Sequence, residues 1–441
     1  MKFILTTSFL LFLSASIFAN QNDSTTANVL PQRFSFHAQT TVITQYKPKF
    51  AAQYSGANSL QTNEETQTSI TSSLFATTRL WKNANFIFNP EIAGGSGLSS
   101  ALGVASSTNG ETFRIGSADP KLYVARLAFR QLFSLDKKYN KQISSPNQLA
   151  GEVPKKYISI TIGKISLCDY FDVNSFSHDP RKQFTSWGLM NNGAFDYAAN
   201  TRGYTPSFIV ERVSEKDEWR YAFSMVPVVA NGGEMNSQIA KANAQTIEFA
   251  HHFQWKQKSG AIRLMSFLTN TDMGNYNQIV QQSPINPDIT LNRMYCRTKY
   301  GFFLNAEQWL TSSVGIFLRA GWNDGQNETW HFTEIDQSFS AGVSGNGKKW
   351  KRNDDTWGAA IAISGISKAH QNYLKAGGKG FMLGDGNLSY GLENVLETYY
   401  SCSLMSNYLF LSVFYQLVVN PGYNTVRGPV NVFSVRFHYE L

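Results

Sequence analysis

Ser177, His178 and Asp179 are consecutive and together hold the residue types of a nucleophilic triad. That chemistry depends on a geometry set in space, not on adjacency in sequence. His251 and His252 carry metal-binding rings, but neighbours on a strand point to opposite faces and do not chelate together. Asp354 and Asp355 lack the twelve-residue ligand spacing of a calcium loop. Gly94, Gly95, Ser96 and Gly97 are followed by no Lys-Ser/Thr pair and open no helix, so they are not a phosphate loop. Neither a metal nor a cofactor is expected. What remains is a different constellation: single arginines and carboxylates, each set into a stretch that alternates apolar with polar.

Residues 314–322 show how such a charge is placed. Val314, Ile316, Leu318, Ala320 and Trp322 share one face of a strand, and Arg319 lies on the other. An arginine turned to lipid at mid-membrane costs ~2–4 kcal/mol. The opposite register would also put the apolar side chains in water, so Arg319 faces inward. The same parity turns Arg79, Glu91, Glu211, Arg220, Glu248, Arg263, Glu307, Glu334, Asp336, Glu397 and Arg436 inward. Arg126 and Arg130 are assigned inward too, although Leu122 and Val124 share their parity. Arg212 and His251 fall on the outer face near strand ends, where long side chains snorkel.

Charges at several heights of one lumen describe a water-filled pore. Their mixed sign argues against a simple anion or cation channel. Guanidinium forks donate, carboxylates accept, and aromatic faces offer a stacking surface, a combination suited to a neutral, hydroxyl-rich solute. The competing reading is that the charges only pair across the lumen to hold its shape. If they bind solute, Arg319→Ala alters solute block more than stability.

The elements that position these residues are strands. At the C-terminus Phe433, Val435, Phe437, Tyr439 and Leu441 alternate strictly with Ser434, Arg436, His438 and Glu440. About sixteen such stretches are expected, near 33–44, 70–80, 84–93, 121–131, 156–164, 203–213, 219–228, 244–253, 260–268, 298–309, 313–322, 334–344, 355–364, 393–403, 408–418 and 430–441. Most have the ~9–11 residues of a tilted membrane strand. Short links near 80–83, 214–218, 254–259, 310–312 and 404–407 alternate with long ones near 45–69, 94–120, 165–202, 269–297 and 365–392. That alternation predicts an all-β fold, a transmembrane antiparallel up-and-down barrel with brief turns at one end and large loops at the other. The polar link 136–155 breaks the rule and reads as an insertion or a miscounted strand pair.

Composition agrees. Aromatic residues make up 14% of the 441, enough for two interfacial girdles, and charged residues only 16%, below the ~25% of a soluble domain. Cys168, Cys296 and Cys402 are too few and odd in number for a disulfide framework. Residues 1–19 read as a cleaved signal peptide, 20–32 as a flexible leader and 33–441 as one barrel domain. The formal charge of +8 includes Lys2, and no basic run suits nucleic acid. Expected partners are neutral sugars, outer-membrane lipid and lipopolysaccharide, and the barrel-assembly machinery; monomer and trimer both stay open.

The most distinctive link runs from Gly163 through Cys168, Asp169, Asp172, Ser177, His178, Asp179, Arg181 and Trp187 to Tyr204. It enters from the long-loop end and can fold inward to narrow the lumen. Here, and at Thr298-Lys299-Tyr300-Gly301, Trp322-Asn323-Asp324-Gly325, Gly384-Asp385-Gly386, 393–397 and 420–436, the chain resembles the carbohydrate-selective outer-membrane porins of the OprB type. Leu441 stands where such barrels usually close with Phe. The resemblance implies a sixteen-stranded barrel of the Gram-negative outer membrane that passes sugars by diffusion, with a long loop in the lumen and an arginine- and glutamate-lined constriction. For that constriction the wall candidates are Arg79, Glu91, Arg126, Arg319 and Glu397, with Arg130, Glu211, Arg263 and Arg436 as further pore lining. The loop candidates are Asp172, His178, Asp179, Arg181 and Trp187. The alternatives are a general or anion-preferring porin or polysaccharide exporter on the same barrel, and an outer-membrane hydrolase or adhesin.

Overall fold

The alternating C-terminal stretch finds its partner at the other end of the chain. In the computed structural model, which describes residues 31–112, 118–406 and 408–441, Gln39 lies opposite Glu440, Val42 opposite Phe437 and Tyr46 opposite Phe433. The strands are β1 (Phe34–Lys47), β2 (Glu65–Trp81), β3 (Ala84–Gly95), β4 (Lys121–Ser134), β5 (Tyr139–Gln142), β6 (Gly151–Pro154), β7 (Tyr157–Ile165), β8 (Thr205–Val213) and β9 (Asp217–Met225). They continue as β10 (Asn243–Trp255), β11 (Lys258–Thr271), β12 (Arg297–Trp309), β13 (Val314–Asn323), β14 (Gln337–Gly347), β15 (Arg352–Gly365), β16 (Glu393–Met405), β17 (Leu409–Val419) and β18 (Val430–Glu440). All but β5 and β6 join, each to its sequence neighbour, in one closed antiparallel ring of sixteen; β5 and β6 form a separate hairpin. Closure pairs every edge, as a lipid-facing sheet requires. No helix among the described residues is long and apolar enough to cross a membrane. The proposed signal 1–19, and the leader up to residue 30, lie outside the described residues.

Sidedness follows the pattern. On β18, Phe433, Val435, Phe437 and Tyr439 are exposed while Ser434, Arg436 and His438 are buried in the lumen. Exposed aromatics gather near both strand ends: Trp81, Trp219, Trp255 and Trp350 by the short turns, Tyr46, Tyr300, Trp322 and Phe339 by the long loops. Lys256 and Gln257 both take positive φ (47° and 61°), the two-residue turn whose twist suits a hairpin. Arg212 faces outward at the short-turn end, and His251 there shares a 2.7 Å hydrogen bond with Asp217.

Two departures from the expected strands have physical causes. The strand expected at 334–344 is Gln337–Gly347. Glu334 and Asp336 are therefore buried in the preceding loop and not on the wall. On β4 the pairing slips: Arg126 opposes Asn89, but Val124 opposes Pro90, which leaves Ala125 as an extra residue. Proline has no N–H for the ladder and marks such bulges. The bulge reverses parity, so Leu122 and Val124 face out while Tyr123, Arg126 and Arg130 face in.

Candidate functional site

The long loop between β7 and β8 fills half the lumen, and the wall of that half holds it by named contacts. Asp172 receives Arg319 Nε at 3.0 Å and Asn305 Nδ2 at 2.7 Å. Arg319 also donates to the carbonyls of Leu189 (3.0 Å) and Ser177 (2.6 Å). Glu397 accepts the backbone N–H groups of Thr185 (2.6 Å) and Ser186 (2.9 Å). Arg436 donates to the carbonyls of Pro180 (2.6 Å) and Gln183 (2.7 Å). These wall residues belong to β12, β13, β16 and β18. Each satisfies backbone groups that a loop inside a barrel could not otherwise pair.

Glycines clear the space. A Cβ at Gly315 would meet the Phe176 ring at 1.9 Å, and one at Gly358 the Phe184 ring at 2.6 Å. Phe184 then packs edge-on against Tyr399, with ring centres 5.0 Å apart. The link between β3 and β4 folds inward too, its Ala105 and Ser106 N–H groups bonding to Glu393 at 2.9 and 2.8 Å.

The other half stays open. A cavity of about 630 Å³ runs along β1–β4, β7 and β8, bounded on its far side by the loop. Arginine–carboxylate pairs line it. Arg126 grips Asp169 with two 2.6 Å bonds. Arg181, from the loop, reaches Glu91 at 3.0 Å and Glu111 at 2.9 Å. Arg130 meets Glu211 at 3.3 Å. Tyr204 Oη donates to Glu91 at 3.1 Å, and Tyr123 Oη also donates to it. The Arg202 guanidinium lies 4.2 Å from the centre of the Tyr123 ring, and Arg126 5.2 Å from that of Tyr204. Among the described residues five cationic side chains (Arg126, Arg130, Arg181, Lys182, Arg202) face five carboxylates (Glu91, Glu111, Asp169, Asp179, Glu211). Burial opposes the charge of Arg181, but Glu111 and Glu91 outweigh it and raise its pKa well above the ordinary value. Burial, with the Arg319 charge behind it, lowers the pKa of His178.

The sequence candidates thus divide. Glu91, Arg126, Arg130, Glu211, His178, Asp179, Arg181 and Trp187 line this cavity. Arg319, Glu397, Arg436 and Asp172 do not; they are buried loop anchors, and the expectation of Arg319 as a solute-facing residue is corrected accordingly. Arg263 is buried beside Glu307 at 3.3 Å, also outside the cavity. Arg79 sits at the short-turn end and donates to the Ala150 carbonyl at 3.2 Å. Lining residues not chosen as candidates include Tyr123, hidden by the bulge that Pro90 signals, and Glu111, Asp169, Arg202 and Tyr204, which carry no periodic signal in loops or at a strand end. Ser177 Oγ donates to the Leu189 carbonyl, not to His178.

Sixteen strands closed edge to edge, with apolar side chains outward and charges inward, place the chain in the class of outer-membrane porins. Residues 57–441 match the family described as carbohydrate-selective porin, OprB family, and the chain belongs to it. It is a channel of the Gram-negative outer membrane, with the carbohydrate selectivity that the family's description carries. The high-pH structure of Pseudomonas putida OprB is similar in fold at TM-score 0.70 and 14% identity, covering 93% of this chain and 94% of that one. The low-pH structure of that protein superposes at 0.51 and 10% identity, covering 93% of each. At such identities the likeness shows the fold alone. No curated protein matches the chain in sequence.

Proposed function

We propose that the cavity along β1–β4, β7 and β8 is the sugar passage, and that Arg126, Arg130, Arg181, Glu91, Asp169 and Glu211 select the solute. The observation that carries this reading is the charge balance: five cations face five carboxylates among the described lining residues. A balanced lining offers no net field to draw in ions of one sign. It does offer forked donors and paired acceptors to vicinal hydroxyls, and the Tyr123 and Tyr204 rings to the apolar faces of a pyranose. Binding must remain weak so that the solute leaves. The channel carries out no chemistry on its solute in this reading. Residues 1–19 would direct export, and the exposed girdles would lie at the lipid and lipopolysaccharide boundary.

Block of ion current by neutral sugars in planar bilayers tests this. Arg126→Ala should raise the half-blocking sugar concentration roughly tenfold, the worth of one ~1.5 kcal/mol charge-assisted hydrogen bond. Unchanged block in Arg126→Ala would remove the cavity from the selection step.

A further inference from the structure

Most turns at the short end are brief, but β4 and β7 are joined by residues 135–156. The stem of this link is the β5–β6 ladder, with Tyr139 opposite Pro154 and Gln142 opposite Gly151. Its tip, 143–150, turns back into the barrel mouth. Ser144 Oγ hydrogen-bonds to Ser35 Oγ at 2.8 Å and to His37 Nε2 at 2.9 Å. Arg79 holds the Ala150 carbonyl, and Asn89 Nδ2 donates to Asn147 Oδ1 at 2.8 Å. The tip is thus tied to β1, β2 and β3 in turn.

The height of the last contact matters most. Asn89 lies five residues in from the start of β3, ~17 Å along the strand at ~3.3 Å per residue. Glu91, two residues further, shares its face and binds Arg181 of the infolded loop. Two segments entering from opposite ends of the barrel therefore meet one face of β3 on adjacent rungs. Pro146, Asn147 and Gln148 line the same cavity as Arg126. Joining β4 to β7 alone would need only two to five residues.

We propose that the 143–150 tip is the floor of the passage and a second selectivity element, which sets the length of solute that can pass. It rests on the reading of the cavity as the sugar passage. Its lining side chains include two neutral amides, so it recognises hydroxyls and not charge: the second ring of an oligosaccharide, while the first sits among the arginines above.

The test replaces residues 138–154 of the full chain by an Asn-Gly turn and follows liposome swelling with a monosaccharide and a trisaccharide. The Leu135 N–H to Lys156 carbonyl bond (2.8 Å) that ends the β4–β7 ladder lies outside the deletion. The expected result is loss of the difference between the two swelling rates, with block of current by the monosaccharide retained. An unchanged difference in the folded deletion chain overturns the proposal. Should that chain not fold, Ser144→Ala combined with Asn89→Ala removes the side-chain ties of the tip to β1 and β3, and the same ratio decides. If the cavity is not the passage at all, the failure looks different: neutral sugars then leave the current of the unaltered protein unblocked.

Discussion

Arg319→Ala is expected to loosen the loop and leave the barrel standing. The guanidinium is 1% exposed and spans Asp172, Leu189 and Ser177. Removing one partner of a buried ion pair costs ~3–5 kcal/mol, because the other charge stays behind unpaired. Asp172 keeps the Asn305 amide at 2.7 Å and the Asn192 N–H at 2.6 Å, so the lower end applies, about 3 kcal/mol. That free energy shifts the docked-to-released ratio roughly 100-fold. The ladders of β13 with β12 and β14 are backbone pairings that the substitution does not touch. Single-channel recording should show larger, noisier current and weaker sugar block, and trypsin should gain access to Arg181 and Lys182. Melting of the barrel by circular dichroism should move little. Arg319→Lys should not rescue, since a point ammonium cannot span what a planar fork spans. Quiet current, wild-type block and a trypsin-resistant loop in Arg319→Ala would refute the anchoring argument.

Gly315→Leu, four residues from Arg319 on the same face of β13, should loosen the same loop by overpacking. Its Cβ would fall 1.9 Å from Phe176, and overpacking of this kind costs ~1–3 kcal/mol, readable as current noise. His178 supplies a pH dependence. Its pKa in the docked loop lies below the ordinary ~6.5, so it is neutral in both docked and released loop above that pH and contributes nothing there. As pH falls through ~6.5 the released loop takes the proton first, and docking weakens until the lower, docked pKa is passed. Noise should therefore rise on acidification from pH 7.5 to 5, and His178→Gln should flatten that rise; an unaltered pH profile in His178→Gln counts against it.

Period-two spelling made the barrel legible because lipid and lumen impose opposite solvents on alternate residues. Closure, the sixteen strands and most of the inward charges followed from it, Glu334 and Asp336 excepted because their strand starts only at Gln337. The same spelling carries no information on which sector of the lumen a residue faces. Glu91 and Glu397 read alike in sequence, yet one lines the open cavity and the other lies beneath the loop. The deciding signal was faint: lumen-facing glycines such as Gly315 and Gly358, blanks in a pattern count, mark where the loop packs. Pro90 likewise announced the bulge that reverses β4 and brings Tyr123 inward. Glu111 and Arg202 were illegible because loop side chains are placed by tertiary contact alone.

The most direct test is the titration of single-channel current with a neutral disaccharide and with a sugar acid of similar size, in the unaltered protein and in Arg126→Ala. The balanced cavity predicts saturable block by the neutral sugar, no preference for the acid, and roughly tenfold weaker block in Arg126→Ala. Current that ignores the neutral sugar, or that responds to the acid alone, would contradict it.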